Sequence, residues 1–314
     1  MMKLVSRLSP EYSREYETTG ICLDEWLEDI DFVSPNAADL VWGKQSEGLF
    51  NIEADKKEFR HVSPAADAQG ILHWKCSNIS KDKVRIIPAD AIERTCVLMN
   101  TSMIDEGWVQ PSLRKRIHAD DEVCVLAFSF FDDTKNLSDW NKQYKKGQGI
   151  WYRSNTDVFF PYGLKEKQIH WVNYFTDSIE AMKSAIANSN ILLLPGGAPD
   201  LLMKRMREKK LLPLVKRFRG LVIGYSAGAM AQLAQYHITP DEDYPEFSWQ
   251  KGLGYLSGFD IEVHYRNSSH QNRYIERAIE EKGMTVYAIE EKGGMIVDEK
   301  GEISFFGRVH THEA

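Results

Sequence analysis

Leu221-Val222-Ile223-Gly224-Tyr225-Ser226-Ala227-Gly228-Ala229 is the stretch that decides how this chain folds. Three apolar residues read as a buried strand and run into a turn with glycine two positions before and two positions after a serine. A strand-to-helix turn of this kind crowds the backbone. Glycine tolerates the crowding, and the alanines let the following helix pack close beneath the turn. The turn also holds a serine hydroxyl exposed at the top of a sheet, where it attacks a substrate only if a base takes its proton. A βα turn that happens to contain serine is the alternative reading.

Outward from this turn, short apolar runs alternate with helical segments from about residue 93 onward. Strands are expected at 95–100, 122–129, 168–175, 191–194, 221–224, 261–264, 285–289, 295–297 and 303–306. Several are continuous apolar runs, as strands covered on both faces require. Between them, Asp177 can cap a helix over 178–188, Pro199-Asp200 opens another, and Ser268 or Ser269 can cap a third that ends at Gly283. The pattern predicts an α/β fold, a mostly parallel sheet with helices on both faces.

Residues 1–92 read as a separate N-terminal region of unknown function, and 93–314 as the main domain. The first part holds scattered aromatics, acidic residues over 24–31 and an amphipathic strand over 71–76, with no chemical motif. The connection 130–167 is long and aromatic, with a helix expected over 138–146. It reads as a packed excursion over the sheet, with a substrate lid as the other reading.

With 314 residues and 43% hydrophobic content, the chain has ample material for a buried core. Its net charge of −7, with both signs mixed through the chain, gives no reason to expect nucleic acid as a partner. Half of the positions over 204–219 are basic, but they flank Leu211, Leu212, Leu214 and Val215, which reads as a core helix with a solvated side. Cys22, Cys76, Cys96 and Cys124 lack metal-ligand spacing and read as reduced thiols, so no metal is expected. No apolar run reaches the length of a membrane span, and a cytoplasmic location is the default expectation. A homodimer is the base-rate expectation for oligomeric state.

A serine nucleophile needs a histidine base, an acid to orient it and amide donors for the oxyanion. His264 stands out because it ends an apolar strand downstream of the turn. Glu290 and Glu291 close the next strand, and their side chains point to opposite sides. Asp260, Glu262 and Asp298 are further candidates for the acid. One oxyanion donor is the Ala227 amide, directly after the serine. Pro195-Gly196-Gly197, leaving the apolar run 191–194, can supply the second.

Taken together, L-L-L-P-G-G, G-Y-S-A-G-A, V-H-Y and V-Y-A-I-E-E resemble the serine peptidases that include aspartyl dipeptidase (peptidase E) and cyanophycinase. The resemblance spans roughly residues 93–309. It implies a sheet similar to that of class I glutamine amidotransferases, with serine in place of their cysteine, and a triad running Ser, His, Glu along the chain. By that resemblance Ser226 matches the nucleophile and His264 the base. Glu291 matches the acid, which in the family stands two residues past the last apolar residue of its strand, here Ile289. Gly197 matches the oxyanion glycine that acts with Ala227, and Arg273 and Arg277 are the candidates for holding a substrate carboxylate. Where the family carries a polar residue after the glycine pair, this chain has Ala198-Pro199-Asp200.

The expected activity is cleavage of an amide bond in small peptides, such as Asp-X dipeptides, without a cofactor. An esterase or other acyl hydrolase using the same triad is a second expectation. A non-catalytic ligand-binding or regulatory module on the same scaffold is a third.

Overall fold

The structure is a computed structural model. It describes residues 94–313 throughout and, ahead of them, six short strands. The chain divides into two compact units, Met1–Glu93 with Leu212–Arg217, and Arg94–Leu211 with Phe218–Ala314. In the first unit, Met2–Leu4, Asp39–Trp42, Leu72–Cys76 and Val62–Ala66 form a sheet in that order. The first pair is parallel and the other two pairs are antiparallel. The strand expected over 71–76 is therefore present. The acidic stretch 24–31 lies outside the described residues.

The second unit is built on an eight-stranded sheet. Its strands are β1 (Arg94–Met99), β2 (Val123–Val125), β3 (Ile169–Trp171), β4 (Ile191–Leu194) and β5 (Gly220–Tyr225), followed after a separate hairpin by β8 (Phe259–Glu262), β9 (Thr285–Val297) and β10 (Ile303–His312). The hairpin strands are β6 (Gln235–Ile238) and β7 (Ser248–Lys251). The sheet order is β8-β9-β1-β5-β4-β2-β3, with β10 paired to β9. The five strands β1 to β5 pair in parallel, as do β8 and β9. Only β9 against β1 and β10 against β9 run antiparallel. A mostly parallel sheet with helices packed on it is thus what the alternating runs specify.

Period-two alternation explains the two cores. Val97 and Met99 of β1 face one apolar cluster, with Val125, Leu193 and Ile223 of the neighbouring strands, while Cys96 and Leu98 face the other, with Ala229, Tyr236 and Met295. Each fully buried large apolar side chain contributes roughly 1.5–3 kcal/mol.

The aromatic connection belongs to the first of these cores. It forms α2 (Leu137–Tyr144), capped by the Asn136 side chain, then α3 (Tyr152–Thr156) and a 3-10 turn over Asp157–Tyr162; α1 (Gln110–Leu113) precedes them. Trp140, Tyr144, Phe159 and Tyr162 are buried in the core, which is the packed excursion rather than a free lid.

Several expected boundaries shift. β9 is one strand where two were expected, because the glycines at 293 and 294 carry the pairing onward into β10. Of 168–175 only Ile169–Trp171 is strand, since Asn173 and Asp177 bond backbone amides there and turn the chain. Ser178, not Asp177, caps α4 (Ile179–Ala187). The basic run is also not one helix. α5 (Pro199–Glu208) ends before Lys210 takes a φ of 54°, and Leu212–Lys216 is a second helix. Nor is its basic side wholly solvated: Arg205 is buried, donating to the carbonyls of Phe128 and Phe130 and to Asp132. No helix among the described residues is long and apolar enough to cross a membrane.

Candidate active site

Ser226 leaves β5 at φ 51° and ψ −118°, and α6 (Ala227–Met230) begins with the next residue. That backbone conformation is costly for any residue with a Cβ, so the surroundings must fix it. They do so with short bonds: the Ser226 amide donates to the Met99 carbonyl at 2.8 Å, and the Ser226 carbonyl accepts from Ala229 at 2.9 Å. The flanking glycines are required by space. A Cβ on Gly224 would stand 2.1 Å from the Gly228 carbonyl oxygen, and one on Gly228 would stand 1.8 Å from that of Leu194.

The structure brings three of the expected side chains together in a row. Ser226 Oγ lies 2.9 Å from His264 Nε2, and His264 Nδ1 lies 2.8 Å from Glu291 Oε1. The His264 and Glu291 side chains are 42% and 48% exposed, so this row opens to water along one side. Glu290 faces another way. It bonds His310 at 2.7 Å and Arg308 at 3.3 Å, and the His310 bond leads in holding its carboxyl below the usual range. Asp298 is taken up by the Lys300 and Glu302 amides in the turn before β10.

The glycine turn after β4 packs against the serine. A Cβ on Gly196 would meet Ser226 Cβ at 3.2 Å, and Gly197 has a φ of 127°. Ser129 fixes this turn from behind: its hydroxyl donates to the Gly196 carbonyl at 2.6 Å and lies 3.0 Å from that of Pro195, and its own carbonyl accepts from Ala198 at 2.7 Å. Ala198-Pro199-Asp200 then does structural duty. Pro199 opens α5, and Asp200 accepts a bond from Tyr244 at 2.6 Å.

His264 is not a strand residue, as the sequence suggested, but stands two places beyond β8 with a φ of 52°. Three tethers hold it there. Its amide donates to Asn100 Oδ1 at 3.0 Å, its carbonyl accepts from Gln271 Nε2 at 3.1 Å, and the following amide, of Tyr265, donates to the Ile289 carbonyl. Asn100 is buried and also donates to the Ile289 carbonyl at 2.6 Å, so one amide side chain joins the histidine loop to the strand that carries Glu291.

Arg273 and Arg277 do not join this group. Both are exposed on α7 (Ser269–Lys282); Arg277 pairs with Glu281 at 2.7 Å and covers the Phe247 ring, and Arg273 lies near the Tyr274 ring. Nearer cations belong to a depression of about 640 Å³ beside Glu291, whose lining includes Arg266, Lys292 and Arg308. No cluster of metal-ligating side chains occurs among the described residues, and Cys96 and Cys124 are buried thiols whose pKa is pushed up to about 12 by burial.

The site residues that the sequence reading missed are Asn100, Ser129 and Gln271, which act on backbone and leave no local pattern. No curated protein matches the chain. Residues 150–304 match the model of peptidase family S51. The resemblance to the peptidase E family holds. The S51 span includes Gly197, Ser226, His264 and Glu291, and the match supports a peptidase. It is narrower than the 93–309 read from the motifs. Solved structures similar to this chain include a protein of Listeria monocytogenes EGD-e named for peptidase E, at 13% identity and a TM-score of 0.48, covering 71% of this chain and 99% of that one. A peptidase from an acI-B1 Actinobacterium is 11% identical with a TM-score of 0.46, covering 72% of this chain and 96% of that one.

Proposed function

We propose that this protein is a serine peptidase that cleaves an amide bond in small peptides, including Asp-X dipeptides, through an acyl-enzyme. The observation that carries the reading is the continuous bond path from Ser226 Oγ through His264 to Glu291 Oε1, at 2.9 and 2.8 Å. In this reaction His264 Nε2 takes the Ser226 proton as Oγ attacks the carbonyl carbon. Glu291 accepts the Nδ1–H bond, which fixes the tautomer and stabilises the imidazolium that forms. The Ala227 and Gly197 amides stabilise the tetrahedral oxyanion. His264 then gives its proton to the leaving amine, and the amine departs as the acyl-enzyme forms. Water, deprotonated by His264, releases the acid and restores the serine.

With Arg273 and Arg277 engaged elsewhere on α7, Arg266 and Lys292, which line the depression beside Glu291, are the candidates among the described residues for holding an aspartyl carboxylate. The test is labelling by a fluorophosphonate together with hydrolysis of an Asp-X dipeptide panel. Wild-type protein is expected to do both and folded Ser226→Ala to do neither. Hydrolysis retained by that variant would refute the nucleophile assignment.

A further inference from the structure

A second histidine lies buried behind the first. His237 of β6 has no exposed side-chain surface, and both of its ring nitrogens meet carboxylates: Nδ1 lies 2.6 Å from Asp260 Oδ2 and Nε2 lies 2.9 Å from Glu262 Oε2. Both acids belong to β8, the strand that leads into His264. Two carboxylates in the interior carry a heavy desolvation cost unless their lone pairs are filled. Here they are. Asp260 also accepts from the amides of His237 and Ile261, and Glu262 accepts from Thr239 Oγ1 at 2.8 Å and Gln271 Nε2 at 2.9 Å.

A neutral imidazole has one N–H and would leave one of these two contacts without a hydrogen; the imidazolium satisfies both. Burial alone would lower the His237 pKa, but the bonds to Asp260 and Glu262 outweigh it and raise the group to about 10. The rings of Phe247 and Trp249 close over the imidazole at 5.7 and 5.9 Å.

The cluster touches the candidate site through one side chain. Gln271 Nε2 donates both to Glu262 Oε1 and to the His264 carbonyl, while Gln271 Oε1 accepts from the Arg266 amide at 2.9 Å. A residue held at a φ of 52° needs such over-determination to stay there. We infer that Gln271, anchored on the buried His237–Asp260–Glu262 cluster, is a positioning residue that holds the His264 backbone so that its imidazole reaches Ser226. This rests on the serine peptidase reading for its meaning, and one of its two readouts, hydrogen exchange, does not depend on that reading.

Two readouts separate the two. The first is the rate of fluorophosphonate labelling of Ser226 against probe concentration and pH. The second is hydrogen exchange at the amides of 263–267. Gln271→Met keeps the size of the side chain and removes its amide, and Gln271→Ala removes both. In each, labelling is expected to slow by about tenfold to a hundredfold at saturating probe, since a misplaced base costs rate rather than binding. Half-saturation by the probe stays near wild type, the pH midpoint of labelling shifts, and exchange over 263–267 quickens. His237→Gln is expected to act in the same direction; if that variant does not fold, the Gln271 pair decides. Unchanged labelling or unchanged exchange in Gln271→Met overturns the inference. Absence of labelling in wild-type protein would instead tell against the serine reading, and exchange alone would then decide whether Gln271 holds the loop.

Discussion

Ser226 is held at φ 51° and ψ −118°, a conformation glycine adopts freely and other residues only under constraint. Such a residue stores about 1–3 kcal/mol of strain. Replacing it separates strain from chemistry. Ser226→Ala keeps the Cβ and Ser226→Gly removes it, and both lose the 2.9 Å bond to His264, so that loss cancels between them. Glycine gives back about 0.4–1 kcal/mol through the greater freedom of the unfolded chain. Taking the middle of each range, the glycine variant is therefore expected to be more stable than the alanine variant by about 1.3 kcal/mol, a difference of about 3–5 °C in unfolding midpoint for a unit of this size. Thermal and urea unfolding of the two proteins, with an unchanged urea slope, measures it. An alanine variant as stable as the glycine variant, or more so, would refute the claim that the turn is strained.

Two further outcomes follow from the two carboxylates of β9 and from the buried histidine. Glu291→Gln should slow fluorophosphonate labelling strongly, whereas Glu290→Gln, whose partners are His310 and Arg308, should leave it near wild type. The reverse order would reassign the acid. For His237, the folded pKa of about 10 lies above the ordinary 6.5, so the folded protein keeps a proton that the unfolded chain releases. Its stabilisation is complete below pH 6.5 and is lost as pH rises toward 10, by about 1.4 kcal/mol per pH unit. Urea midpoints between about pH 7 and 8.5 should fall accordingly, with the slope reduced in His237→Gln; a flat wild-type profile would contradict a charged His237.

Much of this arrangement is legible in the chain because it depends on local steric need. The apolar run 221–223 can only be a covered strand, and the glycines at 224 and 228 stand where carbonyl oxygens leave no room for a Cβ. Ser268 and Gly283 mark the ends of α7 by their own cap chemistry. The hairpin of β6 and β7 was not legible, since its pairing and its burial depend on Phe247, Trp249 and β8 rather than on its own pattern. Asp260 and Glu262 alternate with Phe259 and Ile261 along β8, a pattern that reads as one apolar and one solvated face, and it is only the packing of His237 from the hairpin that buries both acids. Arg273 and Arg277 sit at plausible positions along α7, but helix phase turns them outward to Glu281 and to aromatic rings.

The pairing of β9 has a consequence for how the acid is chosen. Its partner β10 keeps one register up to Ile289 and another from Gly293, and Glu290 and Glu291 fall in the offset between them. Residues 290–292 of β9 stand opposite Arg308 alone, so the strand is bulged where the two acids lie, and Glu290 turns to Arg308 and His310 while Glu291 turns to His264.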